Sequence, residues 1–296
     1  MLKLLYKPPM ILGQRNIQMH VAHGCNLTCQ SCSHYTNTGG GKLVTKNEAI
    51  EWMSPWSKRI SPDFFILIGG EPTLNKELVD ITLIAAKMWP QSRIKIVSNG
   101  FFLGLHPELP FVMSKHNVCL EISVKSMEPA YQEKLQSIHR IVQAWSERHA
   151  NLDIIWRNDC EHWIEIYHGY GPSMMPFNDG NSQKSFENCG FKICKVLHNG
   201  KLWKCPRLAF LKMQNDKFAL HSSWNRYMNY IPLEPDCTNE EMISFFEEET
   251  ISECDMCPVE TRYIKIQSPL ISSKELLNAA HKERLQLDVL DQKRQS

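Results

Sequence analysis

Hydrophobic residues follow two rhythms along the first half of the chain. Short apolar or β-branched runs recur at Ile17 to Val21, Phe64 to Ile68, Arg93 to Val97, Val118 to Val124 and Leu152 to Arg157, and their length suits strands. Between them the spacing lengthens to three and four: Leu78, Ile81, Ala85 and Met88 within Lys76 to Met88, then Leu135, Ile138, Ile141, Val142 and Trp145 within Glu128 to Arg148. That period predicts helices with one buried stripe. Thr45 with Glu48 is a capping box that opens another helix toward Trp56. The run from Phe64 to Ile68 does not alternate, which fits a strand covered on both faces, the usual condition of a parallel sheet. Strand and helix taking turns imply βα units with right-handed crossovers, closed toward a barrel or open.

From about residue 172 the rhythm changes. Pro172 to Gln183 is rich in Pro, Gly, Asn, Asp and Ser and reads as a linker or long loop. Beyond it, Asn199-Gly200 lies between Lys195 to Leu197 and Lys201 to Lys204, the strongest hairpin signal in the chain. Thr238 with Glu241 is a second capping box, opening a helix through Phe246, and Ser273 to Leu290 reads as a polar terminal helix or loose tail. The expected parse is a core unit over 14–175, a smaller cysteine-bearing unit over 185–268, and a tail over 269–296.

Composition narrows the function classes. Of 296 residues, 43% are apolar and 22% charged, and 33 Lys plus Arg against 32 Asp plus Glu leave a net charge of +1. This balance excludes a broad basic face, so no nucleic-acid partner is expected. The N-terminal MLKLLYKPPMILG lacks the apolar stretch of a signal peptide, and no run reaches the roughly 18 apolar residues of a membrane span. The expectation is a cytoplasmic protein without membrane contact. In a reducing cytosol its 11 cysteines read as metal ligands or catalytic thiols, not as a disulfide framework.

The cysteines are unevenly spread: Cys25, Cys29 and Cys32 fall together, six lie between Cys189 and Cys257, and Cys119 and Cys160 stand apart. C-x3-C-x2-C directly after a predicted strand lets three thiolates point inward from one loop. An iron-sulfur cubane takes four cysteines, so three leave one iron open to a ligand. A structural zinc site would need a fourth ligand, which His20, His23 or His34 could supply. Gly69-Gly70-Glu71-Pro72 follows the second strand, and Ser98-Asn99-Gly100 follows the third. All three motifs stand at the C-terminal ends of predicted parallel strands, where α/β folds build their sites. Glycines there admit close backbone approach, Glu71 can accept from an ammonium, and Ser98 and Asn99 can bond a carboxylate or ribose.

In this order and on these strands, the three motifs resemble the radical S-adenosylmethionine (radical SAM) enzymes over about Gln14 to Tyr170. The resemblance implies an α/β fold, a partial (β/α)6 barrel, with Cys25, Cys29 and Cys32 holding a 4Fe-4S cluster whose fourth iron is chelated by S-adenosyl-L-methionine. It implies that Gly69, Gly70 and Glu71, with Pro72 closing the motif, receive the methionyl amine, and that Ser98, Asn99 and Ser123 contact ribose or carboxylate. The family often has an aromatic residue just before the third cysteine; here that position is Ser31, and Tyr35 is the substitute near the adenine.

The second unit resembles the auxiliary-cluster domain called SPASM, or Twitch in its single-cluster form. Cys189-Gly190, Gly200, Cys205 and then Cys254-x2-Cys257 carry that likeness, which implies one auxiliary 4Fe-4S cluster. Cys194 competes with Cys189 as a ligand, Cys237 is surplus, and a four-cysteine zinc site has the same spacing. By the same resemblance the chain cleaves S-adenosyl-L-methionine to a 5'-deoxyadenosyl radical, abstracts hydrogen from an unactivated carbon, and draws electrons from a flavodoxin or ferredoxin.

The product depends on the substrate radical: an electron lost to the auxiliary cluster gives dehydrogenation or a cross-link, and hydrogen returned by a thiol gives epimerisation. Cys160, just beyond the fifth strand, is the candidate donor, against a reading as a small buried residue; Cys119 is expected in the core. Arg157 and Asp159 can bind substrate or simply pair, and His162, His168 and Tyr170 near the unit junction are expected to be structural. With its first motif already at Cys25, the chain is expected to lack a leader-binding domain, which favours a sugar-like, aminoglycoside-like or nucleoside substrate over a peptide. A zinc-stabilised binding protein without catalysis is the opposing class.

Overall fold

The computed structural model describes residues 9–160, 163–265 and 268–295; His162 and the first eight residues of the N-terminal stretch lie outside them. In chain order the elements are β1 (Met10–Ile11), β2 (Asn16–Ala22), α1 (Lys46–Ser57), β3 (Ile60–Ser61), β4 (Phe64–Gly69), α2 (Leu78–Met88), β5 (Arg93–Ser98), α3 (Leu109–Lys115), β6 (Val118–Val124), α4 (Pro129–Arg148) and β7 (Asp153–Asn158). The second half adds α5 (Ser182–Glu187), β8 (Cys194–His198), β9 (Lys201–Trp203), α6 (Pro206–Phe218), α7 (Asn239–Glu247) and α8 (Ser273–Gln295). Among the described residues no helix is long and apolar enough to cross a membrane.

The five strand patterns of the first half form one sheet, in the order β7-β6-β5-β4-β2-β8-β9. Every pairing from β7 to β8 is parallel, and only β9 runs antiparallel. Register places Ile17 beside Phe65, Phe65 beside Ile94, and Ile94 beside Val118. These residues, with Met19, Leu67, Ile96 and Leu120, are buried in the main core. Because strand side chains alternate faces, the residues between them point the other way. Gln18, Lys95, Glu121 and Arg157 line a cavity on that opposite face.

Arg157 on β7 and Cys194 on β8, the two ends of the parallel part of the sheet, line that same cavity. A parallel sheet whose two ends face one space is curled, so the architecture is an incomplete barrel, as the family likeness implies. The Asn199-Gly200 hairpin forms, both residues taking positive φ (50° and 76°) as its tight turn requires. Its first strand pairs in parallel with β2, Asn16 beside Cys194 and Gln18 beside Val196, so it extends the main sheet. Without β8 the other edge of β2 would leave its backbone groups unpaired.

The sequence pattern gives no sign of α6, although it begins on Pro206, a favoured first helical residue. Leu208, Ala209, Phe210 and Leu211 are all buried and exposed polar residues begin only at Lys212, so the helix carries no periodic stripe along its length. Around this helix lies a second core of Tyr35, Tyr167, Val196, Phe210, Trp224 and Cys257, which joins the first cysteine loop to the C-terminal half.

Candidate functional site

β2 ends at Ala22, and the chain turns into the loop carrying Cys25, Cys29 and Cys32, all of which line the main cavity of about 350 Å3. The loop is tied from three directions. Asn37 Nδ2 donates to the Cys29 carbonyl at 2.7 Å, and Thr28 Oγ1 donates to the carbonyl of Ile271 at 2.9 Å. Ser31, at φ 52°, accepts from the Ile166 amide at 2.8 Å. Ser31 therefore holds the loop to the segment after β7. The Leu27 amide donates to Cys25 Sγ at 3.4 Å. Burial pushes the Cys25 thiol well above its ordinary range and Cys29 up to about 12, so metal loading must displace protons from this loop.

Gly69 and Gly70 stand where β4 passes closest to this loop. A Cβ on Gly69 would lie 2.2 Å from the Ala22 carbonyl oxygen, and one on Gly70 would lie 2.0 Å from that of Gly24. The same approach gives hydrogen bonds from the Gly70 amide to Ala22 and from the Glu71 amide to Gly24, each 2.9 Å. Glu71 is fully buried, with Pro72 buried beside it. Its Oε1 accepts from Ser98 Oγ at 2.6 Å, from the Thr73 amide at 2.9 Å and from the Thr73 hydroxyl. Its Oε2 accepts from the Asn99 amide at 2.7 Å. Burial raises the Glu71 pKa while these donors oppose the rise. The carboxylate thus fastens the β4 turn to the β5 turn, and it is Gly69, Gly70, Ser98 and Asn99 that reach the cavity wall.

Asn99 Nδ2 donates to Asn26 Oδ1 at 2.8 Å, which joins the third motif to the cysteine loop. Ser123 also lines the cavity. Tyr35 does not: it is packed in the second core against Tyr167, and its hydroxyl has no partner. Cys160 sits off the main cavity, its thiol donating to the Val124 carbonyl at 3.6 Å, beside Ser126 and Met127. Of the surplus cysteines it is Cys194 that faces the main cavity. His168 is bonded to Glu165 at 3.1 Å, and Tyr170 donates to the Asn37 carbonyl.

The wall also contains Gln18, Lys95, Glu121, Lys125 and Trp163, which sequence reasoning missed. Glu121 accepts an ion pair from Lys95 at 3.0 Å and from Arg157 at 2.6 Å. Arg157 continues to Asp159 at 2.7 Å, and Lys125 also pairs with Asp159. Trp163 lines the cavity and donates to the Gln30 carbonyl. Strand parity could have found Gln18, Lys95 and Glu121, since polar residues alternating with buried apolar ones on central strands mark the face turned from the helices.

A family model described as the radical SAM superfamily matches residues 19–175, more than half the chain. The chain belongs to the radical SAM superfamily. Its members are enzymes that use S-adenosyl-L-methionine and a 4Fe-4S cluster, and three thiols of one loop lining one cavity are a donor set that suits this pair. Among solved structures it is similar to BtrN in complex with AdoMet and 2-DOIA, at 14% identity over 86% of this chain and 95% of that one, TM-score 0.47. It is also similar to SuiB of Streptococcus suis bound to the precursor peptide SuiA, at 12% identity over 79% and 63%, TM-score 0.36. Native anSMEcpe with bound AdoMet and Cp18Cys peptide matches at 12% identity over 48% of this chain, TM-score 0.36, and the chain spans only 42% of that protein. No curated protein matches it by sequence.

This radical SAM chain has a second cysteine-lined cavity, bounded by Cys189, Cys205, Cys254 and Cys257 with Arg207. Cys254 and Cys257 flank the end of a short 3-10 turn, Cys205 precedes α6 and Cys189 follows α5. Cys237 lies elsewhere, accepting from Arg59 at 3.2 Å. Among the described residues no three His, Cys, Asp or Glu side chains converge on a single-ion site; the four thiols are spread over the walls of a cavity.

Four histidines, His20, His23, His34 and His198, pack around Phe210 behind the first cysteine loop. Burial holds His20 well below its ordinary pKa and His198 near about 3. Both are neutral in the fold, so their contribution is complete above the unfolded value of about 6.5 and drains as pH falls below it. Each should cost about 1.4 kcal/mol per pH unit below that point. Thermal unfolding between pH 7.5 and 5 should show a falling midpoint, with a shallower fall in His198→Gln; equal slopes in the two proteins would refute it.

Proposed function

We propose that the chain cleaves S-adenosyl-L-methionine reductively and removes hydrogen from a polar small molecule, which it dehydrogenates. The reading is carried by one observation: Cys25, Cys29 and Cys32, Gly69 and Gly70, and Ser98 and Asn99 converge on one cavity at the C-terminal edge of a parallel sheet. When bound, the cofactor and its cluster supply a 5'-deoxyadenosyl radical for hydrogen abstraction. Glycine backbone and the Ser98 and Asn99 side chains hold the cofactor, and Ser123 adds a hydroxyl. Deeper on the sheet, Glu121, held between Lys95 and Arg157, gives a fixed polar wall suited to hydroxyl and amine groups of a sugar-like or aminoglycoside-like substrate.

The second cavity supports an auxiliary 4Fe-4S cluster of the SPASM or Twitch type on Cys189, Cys205, Cys254 and Cys257, an acceptor for the electron that dehydrogenation releases. Cys194 faces the main cavity, so it replaces Cys160 as the thiol to test for epimerisation. The reading carries with it a reducing compartment and a flavodoxin or ferredoxin as reductant. Protein purified without oxygen and reduced with dithionite should convert S-adenosyl-L-methionine to 5'-deoxyadenosine and carry about eight irons, four per cubane. Zinc without iron, and no cleavage, would remove the enzyme reading.

A further inference from the structure

Among the described residues Arg207 is the one Lys or Arg with buried nitrogens that lack a hydrogen-bond partner. It stands in the first turn of α6, only 3% exposed. Its Nε and Nη1 have no hydrogen-bond partner, and Nη2 reaches only Cys189 Sγ, at 3.5 Å. The guanidinium packs over the Phe191 ring, 5.2 Å from its centroid. The ionisable groups acting on it are Cys257, Cys189, Cys205 and Tyr35, so thiols stand where a carboxylate would be expected.

Burying a cation without a counter-charge costs several kcal/mol, and a guanidinium always carries its charge. Four cysteines with their thiols protonated offer no compensation; four thiolates around an iron-sulfur core do. The three other cations lining this cavity are differently placed, and Lys192 Nζ donates to the Glu187 carbonyl. Lys204 Nζ is taken by the carbonyls of Phe245 and Glu248 at 2.6 and 2.7 Å, and Lys195 Nζ donates to the Lys192 carbonyl at 3.2 Å. Arg207 alone among them has buried nitrogens without a hydrogen-bond partner, in a rigid fork.

We propose that Arg207 is a positioning residue of the auxiliary cluster. Its guanidinium donates to the cluster's sulfurs, balances their negative charge and raises the reduction potential, since hydrogen bonds to sulfur and local charge set that potential. The inference rests on the four-cysteine reading of this cavity. A cluster held at higher potential is the better electron acceptor, which is what dehydrogenation asks of it.

The test uses the full chain with Cys25, Cys29 and Cys32 all replaced by Ala, so that any remaining iron signal is the auxiliary one. This protein should retain about four irons; if it retains none, the auxiliary-cluster reading fails and the inference with it. Adding Arg207→Met should shift the reduction equilibrium at least tenfold against the reduced form, 59 mV for one electron, with an altered EPR signal. Arg207→Lys, which keeps the charge with fewer donors, should fall between the two. Iron retained with an unmoved potential and signal in Arg207→Met overturns the proposal and leaves the cluster standing. Should Arg207→Met fail to hold iron, Arg207→Lys decides alone: a changed potential supports the proposal and an unchanged one overturns it.

Discussion

Replacing Cys29 with Ala should lower S-adenosyl-L-methionine cleavage by about a thousandfold or more, at least ~4 kcal/mol of lost transition-state stabilisation. Cys29 lines the main cavity between Cys25 and Cys32, and the loop around it is anchored by Asn37, Thr28 and Ser31. Among the described residues the other cysteine lining this cavity is Cys194, which lies beside Asn16 at the start of β2, whereas the loop follows the end of that strand. The variant should also lose about half its iron, the share of one cubane of two. Cys119→Ala is the control. Cys119 is buried on β6 and lines neither cysteine cavity, so its loss should leave iron content and cleavage intact. Equal activity in Cys29→Ala and the parent protein would remove the site from the chemistry.

Gly70→Ala should lower affinity for S-adenosyl-L-methionine by about a hundredfold, ~2.7 kcal/mol, and destabilise the fold. Its new methyl would meet the Gly24 carbonyl oxygen at 2.0 Å and the Cys25 amide nitrogen at 2.7 Å. Both are backbone atoms, so no side chain can swing aside, and either β4 or the cysteine loop must move. The movement would break the Glu71 amide bond to Gly24 and pull the glycine wall away from the three thiols. Gly104→Ala meets only Ile141 Cδ1 at 3.6 Å, an ordinary contact, and should bind normally. Equilibrium binding of the cofactor to iron-loaded protein, with circular dichroism as a check on folding, separates the two effects. Parent-like binding in Gly70→Ala would show that the close approach is not needed.

Much of the core was legible because its signals are local. Capping boxes at Thr45 and Thr238 form with both reciprocal bonds present, and each of the five strand patterns becomes a strand of the sheet. The elements that escaped are those whose signal is not local. α3 is only Leu109–Lys115, too short to repeat a stripe, and the first turns of α6 are buried all round. Spacing could not separate Cys189 from Cys194, because their placement depends on strand pairing: Cys194 starts β8 opposite Asn16 and lines the main cavity, while Cys189 lines the second cavity with Cys205 and Cys257.

By itself, then, the amino-acid sequence determined which segments are strands and helices, and it placed three thiols within one loop at a strand end. Neighbours in the chain settle such features. Only the tertiary structure decided what distant residues share: the ion network of Lys95, Glu121 and Arg157, the withdrawal of Glu71 behind the wall it supports, and the unpaired guanidinium of Arg207 among cysteines. Those depend on the parity of paired strands and on burial, and a shift of one residue in register would send each side chain to the other face.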